Sequence, residues 1–386
     1  MIRPECGRCE RIGLDCSLAD QTSDFIFISD KRIEGQKEQA SLANTESPGG
    51  ISVLSTLSSG HSINSPESLN SIIISTPSTQ QSISESHFTD TERDRLRLMN
   101  HYTLHTSKSI TEITIPEDKD QSIWGTWVAE LAFENDFLLH GLLSLSALHL
   151  ALRGISRQKN TVLAIHHYDL GAALFRPLLS NITADKYDAV FAFSCFVSLY
   201  AFGIQRCSES ELSPIAKIHQ ILVFLCGTRK IVKCGYATLN GSRWSVLVVP
   251  CYSQTPQILS AEIEQMLSTL LQRASTAISQ VSQRDMYTAV IQTLRNNLTT
   301  AIKYQHDRFS LSLFPVQCPN EYWDMVDIGE PLALAILANY AVILYWLRKC
   351  IWVEGWGKET VDAVRKALPP EWHECIAWAV QETGGA

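Results

Sequence analysis

Residues 134–154 read ENDFLLHGLLSLSALHLALRG, and this stretch decides the fold class. Asp136 stands where a helix N-terminus favours negative charge, and Gly154 stands where a left-handed residue commonly closes one. Between them Phe137, Leu138, Leu142, Leu145 and Leu148 are joined by Leu139, Leu143, Leu150 and Leu152, so apolar side chains surround the helix axis. A helix that is apolar on nearly every face is buried on most sides. It needs helical neighbours in several directions.

The flanking sequence supplies them. Upstream, DTERDRLRLMNHYTLHTSKSI offers Asp90 as a capping residue with Glu92 and Asp94 in the first turn. Leu96, Met99, Tyr102 and Thr103 then recur at helical spacing, and a second helix is expected around Trp124–Phe133. Downstream, Tyr168, Ala172, Phe175 and Leu179 form one stripe, with Pro177 kinking or ending that helix. TADKYDAVFAFSCFVSLYAFG opens at Thr183, closes at Gly203 and is again apolar almost all round. Further helices are expected over 213–233, 259–279, 283–304, 331–353, 358–367 and 371–382. Only ATLNGSRWSVLVVP resists, because its Asn-Gly lies between short β-prone runs. A loop, a small hairpin and a helix-to-loop transition all suit it. The fold class is all-α over residues 90–386, with no parallel-sheet alternation.

The run PLALAILANYAVILYWL (Pro331–Leu347) carries no charge and comes close to the length needed to cross a bilayer. A buried helix of a large α domain has the same composition, and we read it as core, with no stable membrane span expected. The aromatic tail with Tyr340, Tyr345, Trp346, Trp352 and Trp356 fills a core or walls a cavity for a flat apolar ligand.

Composition changes ahead of the helices. Residues 41–90 hold 20 Ser or Thr, with few large side chains to offset ordering entropy, so 21–89 read as a disordered linker. Its short SIIIST run is too brief to alter that. Residues 1–90 carry six Lys or Arg against twelve Asp or Glu, a net −6 of the chain's −8. A strong nucleic-acid surface needs clustered cations, which this sequence lacks. Of eleven cysteines only Cys6, Cys9 and Cys16 cluster; the rest are scattered, as in a reduced intracellular protein. Charges at Arg3, Glu5 and Arg8 interrupt any signal-peptide core, which places the chain in cytosol or nucleus.

Enzyme motifs are missing: no G-x-S-x-G, no phosphate-binding loop, no dinucleotide fingerprint, no H-E-x-x-H. His101 and His105 are four apart, a workable metal-ligand spacing, yet no third ligand accompanies them nearby, which favours a partly exposed helix face. His140 and His149 are nine apart and about half a turn out of phase, so they do not share an ion; His166 and His167 diverge by about 100°. Nothing assembles a nucleophile, base and oxyanion donor, and the chain is not expected to be an enzyme.

The opening MIRPECGRCERIGLDC spaces Cys6, Cys9 and Cys16 as C-x2-C-x6-C. Two thiolates separated by two residues can face one metal, but tetrahedral zinc takes four ligands. Three either leave an open position, borrow a donor or form half of a larger centre.

RPECGRCERIGLDC resembles the second half of the fungal binuclear zinc cluster, in which six cysteines hold two zinc ions; Pro4, Cys6, Arg8, Cys9, Gly13 and Cys16 match that pattern one by one. The pattern's first three-cysteine unit, which by the resemblance carries most basic residues and the major-groove helix, is absent from this sequence. Zinc binding through Cys6, Cys9 and Cys16 is therefore expected to be incomplete. A misplaced start codon and a real truncation both account for it. Residues 91–382 resemble the regulatory domain of fungal transcription factors, in particular the sterol uptake control proteins, through LMNHYTLHTS, FLLHGLLSLSALHLA, YDLGAALFRPLL, DAVFAFSCFVSLYAFG, ILANYAVIL and WVEGWGKETVDAV.

The resemblance implies three regions: 1–20 as the C-terminal half of the zinc-cluster DNA-binding module, 21–89 as linker, and 90–386 as the helical regulatory domain. It further implies a transcription regulator that binds DNA in intact relatives, with Arg8 and Arg11 near phosphates. A homodimer or heterodimer through the helical domain, a sterol or other apolar ligand, and a nuclear location with shuttling from the cytoplasm also follow from it. The alternative is a helical ligand-binding or dimerising protein without DNA binding of its own.

Overall fold

A computed structural model describes residues 88–115, 119–207, 211–248, 259–303 and 310–384. Cys6, Cys9, Cys16, Arg8, Arg11, the linker and its SIIIST run lie outside the described residues. Ser29–Arg93 separates from Asp94–Ala386 as its own unit, and of that unit only residues 88–93 are described.

Helices account for the described architecture, and no strand occurs among the described residues. In chain order they are α1 (Asp90–His101), a π-turn (Tyr102–Thr106), α2 (Ser107–Thr114), a second π-turn (Ile123–Trp127), α3 (Val128–Phe133), α4 (Asp136–Leu152) and α5 (Arg157–Phe175). A 3-10 turn (Arg176–Ser180) leads to α6 (Tyr187–Cys207), α7 (Pro214–Gly241) and the short α8 (Ser245–Val248). Then come α9 (Ala261–Ala277), α10 (Val281–Lys303), α11 (Ser310–Gln317), α12 (Asn320–Asp327), α13 (Pro331–Trp346) and α14 (Trp356–Ala367). A 3-10 turn (Pro370–Ile376) and α15 (Ala377–Glu382) complete it.

Expected boundaries moved where a local interaction outweighed the pattern. The cap of α1 is Thr89 rather than Asp90: Thr89 Oγ1 accepts from the Glu92 amide at 3.2 Å while Glu92 Oε2 accepts from the Thr89 amide at 2.7 Å. This reciprocal capping box satisfies two orphan donors at once. Leu96, assigned to the apolar stripe, is 58% exposed and Leu98 is buried in its place, while Tyr102 of that stripe is buried as expected. Gly203 does not stop α6. It lies within that helix, where an added Cβ would come 2.8 Å from Leu148 Cδ2, so its missing side chain lets α6 approach α4. Of the readings open for 237–250, the hairpin is not realised among the described residues: α7 runs through Asn240 to Gly241, and after a turn α8 begins.

α4 sits at the centre of the N-terminal half. α5 folds back along it after the turn Arg153–Ser156, where Gly154 takes φ +75°. α6 packs against both α4 and α5, and α7 packs on α6. Gly141 of α4 and Gly171 of α5 both face Phe193 of α6, where a Cβ would come within 2.8 and 3.0 Å of its ring. In the C-terminal half α13 is wrapped by α9, α10, α12, α14 and α15, and every residue from Leu332 to Leu344 is buried. Each fully buried Leu, Ile or Val contributes on the order of 1.5–3 kcal/mol, so α13 is the apolar axis of this half. The core reading of Pro331–Leu347 holds. By length and composition the one single helix apolar enough to cross a membrane, among the described residues, is α6, and 78% of that stretch is buried inside the protein.

Candidate functional site

The aromatic tail belongs to the core. Tyr340 stacks on Phe314 at 4.8 Å and donates its hydroxyl to the Leu311 carbonyl at 2.6 Å. Trp352 donates its indole N–H to Ser109 Oγ at 3.2 Å, and Trp356 donates to the Phe202 carbonyl at 3.3 Å. Tyr345 and Trp346, at the end of α13, are half-buried. Tyr340, Trp352 and Trp356 thus tie α13, the turn after it and the start of α14 to α11, α2 and α6, with their polar atoms taken up by protein partners.

The buried polar chemistry of the domain concentrates instead on α4. Buried Ser144 donates to the Ala164 carbonyl of α5 at 2.8 Å, and buried Ser146 donates to the Leu98 carbonyl of α1 at 2.6 Å. At either end of that line a histidine of α4 meets a histidine of a neighbour. His140 Nδ1 lies 3.0 Å from His167 Nδ1 of α5, a hydrogen bond in which one imidazole donates and the other accepts. His149 lies with its ring 5.1 Å from His101 of α1, and its Nδ1 pairs with Thr106 Oγ1 at 3.0 Å. Trp352 closes over the His149 ring at 5.5 Å.

The π-turn at Tyr102–Thr106 makes this arrangement. Its wider winding, with the Ser107 amide bonding back to the Tyr102 carbonyl, brings the His101 and His105 rings to 5.0 Å. His105 stays exposed while His101 is buried, with its Nε2 lacking a hydrogen-bond partner among the described residues. Burial is the main cause that lowers His101, His149 and His167 from the ordinary imidazole value to about 4 each, with neighbouring histidines adding to it. His140 is lowered in the same direction, again first by burial. All four rings are neutral at neutral pH.

The sequence placed His101 and His105 without a third histidine. The fold brings His149, 44 residues beyond His105, against His101. Nothing local signals that contact. Even so, no group of three His, Cys, Asp or Glu among the described residues is arranged to hold a metal ion. His140 and His149, half a turn out of phase on α4, face different neighbours, His167 of α5 and Thr106 of the π-turn. Burial pushes the Cys195 thiol up to about 12 and that of Cys375 up to about 11, which leaves both poor nucleophiles at neutral pH.

Residues 97–234, running from within α1 into α7, match the profile of the Fungal specific transcription factor domain. Two curated relatives narrow the comparison. A "Zn(2)-C6 fungal-type transcription factor" of Gibberella zeae is 25% identical over 334 residues, covering 78% of this chain and 65% of the relative. "Sterol uptake control protein 2" of Candida albicans is 36% identical over 97 residues, 25% of this chain and 13% of the relative. The chain thus spans just under two thirds of the first relative's length and a small part of the second's.

Proposed function

We propose that this protein is a fungal transcription regulator whose helical domain responds to a sterol or another apolar metabolite. The observation that carries it is the domain match over 97–234, supported by the similarity to a Zn(2)-C6 factor over most of the chain. In this reading 90–386 form the regulatory domain and 21–89 the linker, while 1–20 bind zinc through Cys6, Cys9 and Cys16, with Arg8 and Arg11 near DNA phosphates. The protein acts in the nucleus, shuttling from the cytoplasm, pairs through its helical domain and is not an enzyme. Ligand occupancy shifts a conformational population and thereby transcription. The sterol part rests on the similarity to the sterol uptake control protein alone.

The acidic balance of residues 1–90 favours a second reading, a ligand-binding or dimerising protein without DNA binding of its own. Tethering the whole chain to a foreign DNA-binding module upstream of a reporter tests the regulator: transcription changes, and an inert tether refutes the proposal. Zinc analysis and gel shifts on the untethered chain separate the readings. We expect sub-stoichiometric zinc and poor DNA affinity at physiological salt, and two tightly held ions per chain with a sequence-selective shift would exclude the second.

A further inference from the structure

Six of the chain's eleven histidines stand on α1, the adjoining π-turn, α4 and α5. They form two groups, His101–His105–His149 at one end of α4 and His140–His166–His167 at the other. A hydrogen bond between two imidazole nitrogens exists only while one of them lacks a proton. Once both rings are cationic, each presents only donors. The 3.0 Å contact of His140 Nδ1 with His167 Nδ1 is such a bond, and it links α4 to α5. The 5.1 Å packing of His101 on His149 links α1 to α4 and likewise holds only if the rings do not repel.

The surroundings offer little to balance an added charge. Arg153 is the permanently charged group that acts on both His101 and His149, and exposed His105 acts on them in the same sense. Arg95 and His166 act on His140 and His167 in the same repulsive sense, and Asp136, acting on His140, is the one opposing anion. α6 faces α4 with Phe193 and Phe196, and the turn after α13 contributes Trp352. Lys159 of α5 is engaged with Asp94 of α1 at 2.8 Å and leaves that carboxylate already paired.

We propose that these two histidine groups form a proton-operated latch, which holds α1 and α5 on α4 while the imidazoles are neutral and releases them when both members of a pair are protonated. Binding of protons is the ligand event, and the docked and released helices are its two states. The inference does not depend on DNA binding, on a sterol or on the residues before α1.

Hydrogen exchange on the full chain tests it, compared at about pH 7.2 and about pH 5.5 with intrinsic exchange rates corrected. A histidine held near 4 in the docked state and near 6.5 when released favours release about tenfold at the lower pH. We therefore expect protection in α1, the π-turn and α5 to fall at least tenfold, while α13 changes by less than twofold. An equal loss in α13, or no loss in α1 and α5, overturns the proposal. Replacing the pair as His140→Gln with His167→Asn keeps donors and acceptors without titration and should abolish the response in α5; a retained response is equally fatal. Should that variant fail to fold, imidazole C2 hydrogen exchange on the unaltered chain gives each ring's titration. Midpoints near 6.5 for His101, His149 and His167 would refute the latch.

Discussion

α13 and α4 are both buried central helices, yet they are built differently. α13 buries thirteen consecutive residues, of which only Asn339 is strongly polar, and Asn339 is engaged by donating to the Ala335 and Cys375 carbonyls at 2.8 and 2.9 Å. α4 buries Ser144, Ser146 and His149 among its leucines and half-buries His140. The first is fixed mainly by apolar packing, and its buried polar side chains, Asn339 and Tyr340, keep one protonation state through neutral and mildly acidic pH. The second is fixed partly by hydrogen bonds whose existence depends on protonation. Two helices with the same sequence signature, apolar all round, thus hold the two halves of the domain by different physics.

Steric change should hit the α13 side hardest. Gly357 of α14 lies where an added Cβ would be 2.3 Å from the Tyr345 backbone nitrogen. Backbone does not yield as a side-chain tip does, so Gly357→Ala should destabilise by about 3–5 kcal/mol. Chemical denaturation should show it, or the variant should fail to accumulate folded. Gly203→Ala meets the end of Leu148 instead, at 2.8 Å, and should lose only about 1–2 kcal/mol because that side chain can rotate. Equal losses at the two positions would erase the distinction between a backbone seam and an adjustable one.

Acid should expose the α4 side. His101, His149 and His167 have folded values depressed to about 4, below the ordinary 6.5, so the unfolded chain binds more protons between those limits. Their contribution is fully present above about pH 6.5 and is lost as pH falls towards 4. Burial raises Asp188 and Asp324, which act in the opposite sense but from carboxylate values, lower on the pH scale. Thermal unfolding should therefore drop on the order of 5 °C between about pH 7 and pH 5.5. A flat profile over that window would make the two helices equivalent after all.

A smaller effect separates a polar contact at the rim of α13 from its interior. Glu330 caps α13 by accepting from the Ala333 amide at 2.9 Å and also accepts the Tyr287 hydroxyl of α10 at 2.5 Å. Glu330→Ala removes both acceptors and should destabilise by about 1–2 kcal/mol. Glu330→Gln keeps an acceptor oxygen and should recover about half of that in the same denaturation assay.

What could be read from residues alone follows the same division. Burial of α4, α6 and α13 was legible because a helix with apolar residues on every face is kept from water, whether protein or bilayer covers it. Pro177 and Gly154 likewise marked their helix ends. Gly203 misled, because a glycine that ends a helix and one that admits a neighbouring helix look alike until the neighbour is known. The π-turn was invisible, since it inserts no distinctive residue. Equally illegible were the meetings of His101 with His149 and of His140 with His167, contacts between residues 48 and 27 positions apart that no local pattern encodes. The proposed zinc ligands Cys6, Cys9 and Cys16 stand on their spacing and its resemblance.

The smallest prediction concerns the turn that joins α4 to α5. Ser156 has φ +40° and ψ +51°, a left-handed conformation that strains a residue with a Cβ, and its side chain makes no capping bond to α5. Glycine adopts that conformation freely but loses more freedom on folding. The relief, about 1–2 kcal/mol, exceeds the added entropy loss of about 0.5–1 kcal/mol, so Ser156→Gly should stabilise by roughly 0.5 kcal/mol. Gly154, two residues earlier, has φ +75°, and a methyl added there would meet nothing within 4 Å, so Gly154→Ala isolates conformational strain from collision. It should lose about 1 kcal/mol, well short of Gly357→Ala, although both exchange the same atoms. If the two alanine variants lose stability equally, close approach of backbones is not what holds α14 to α13.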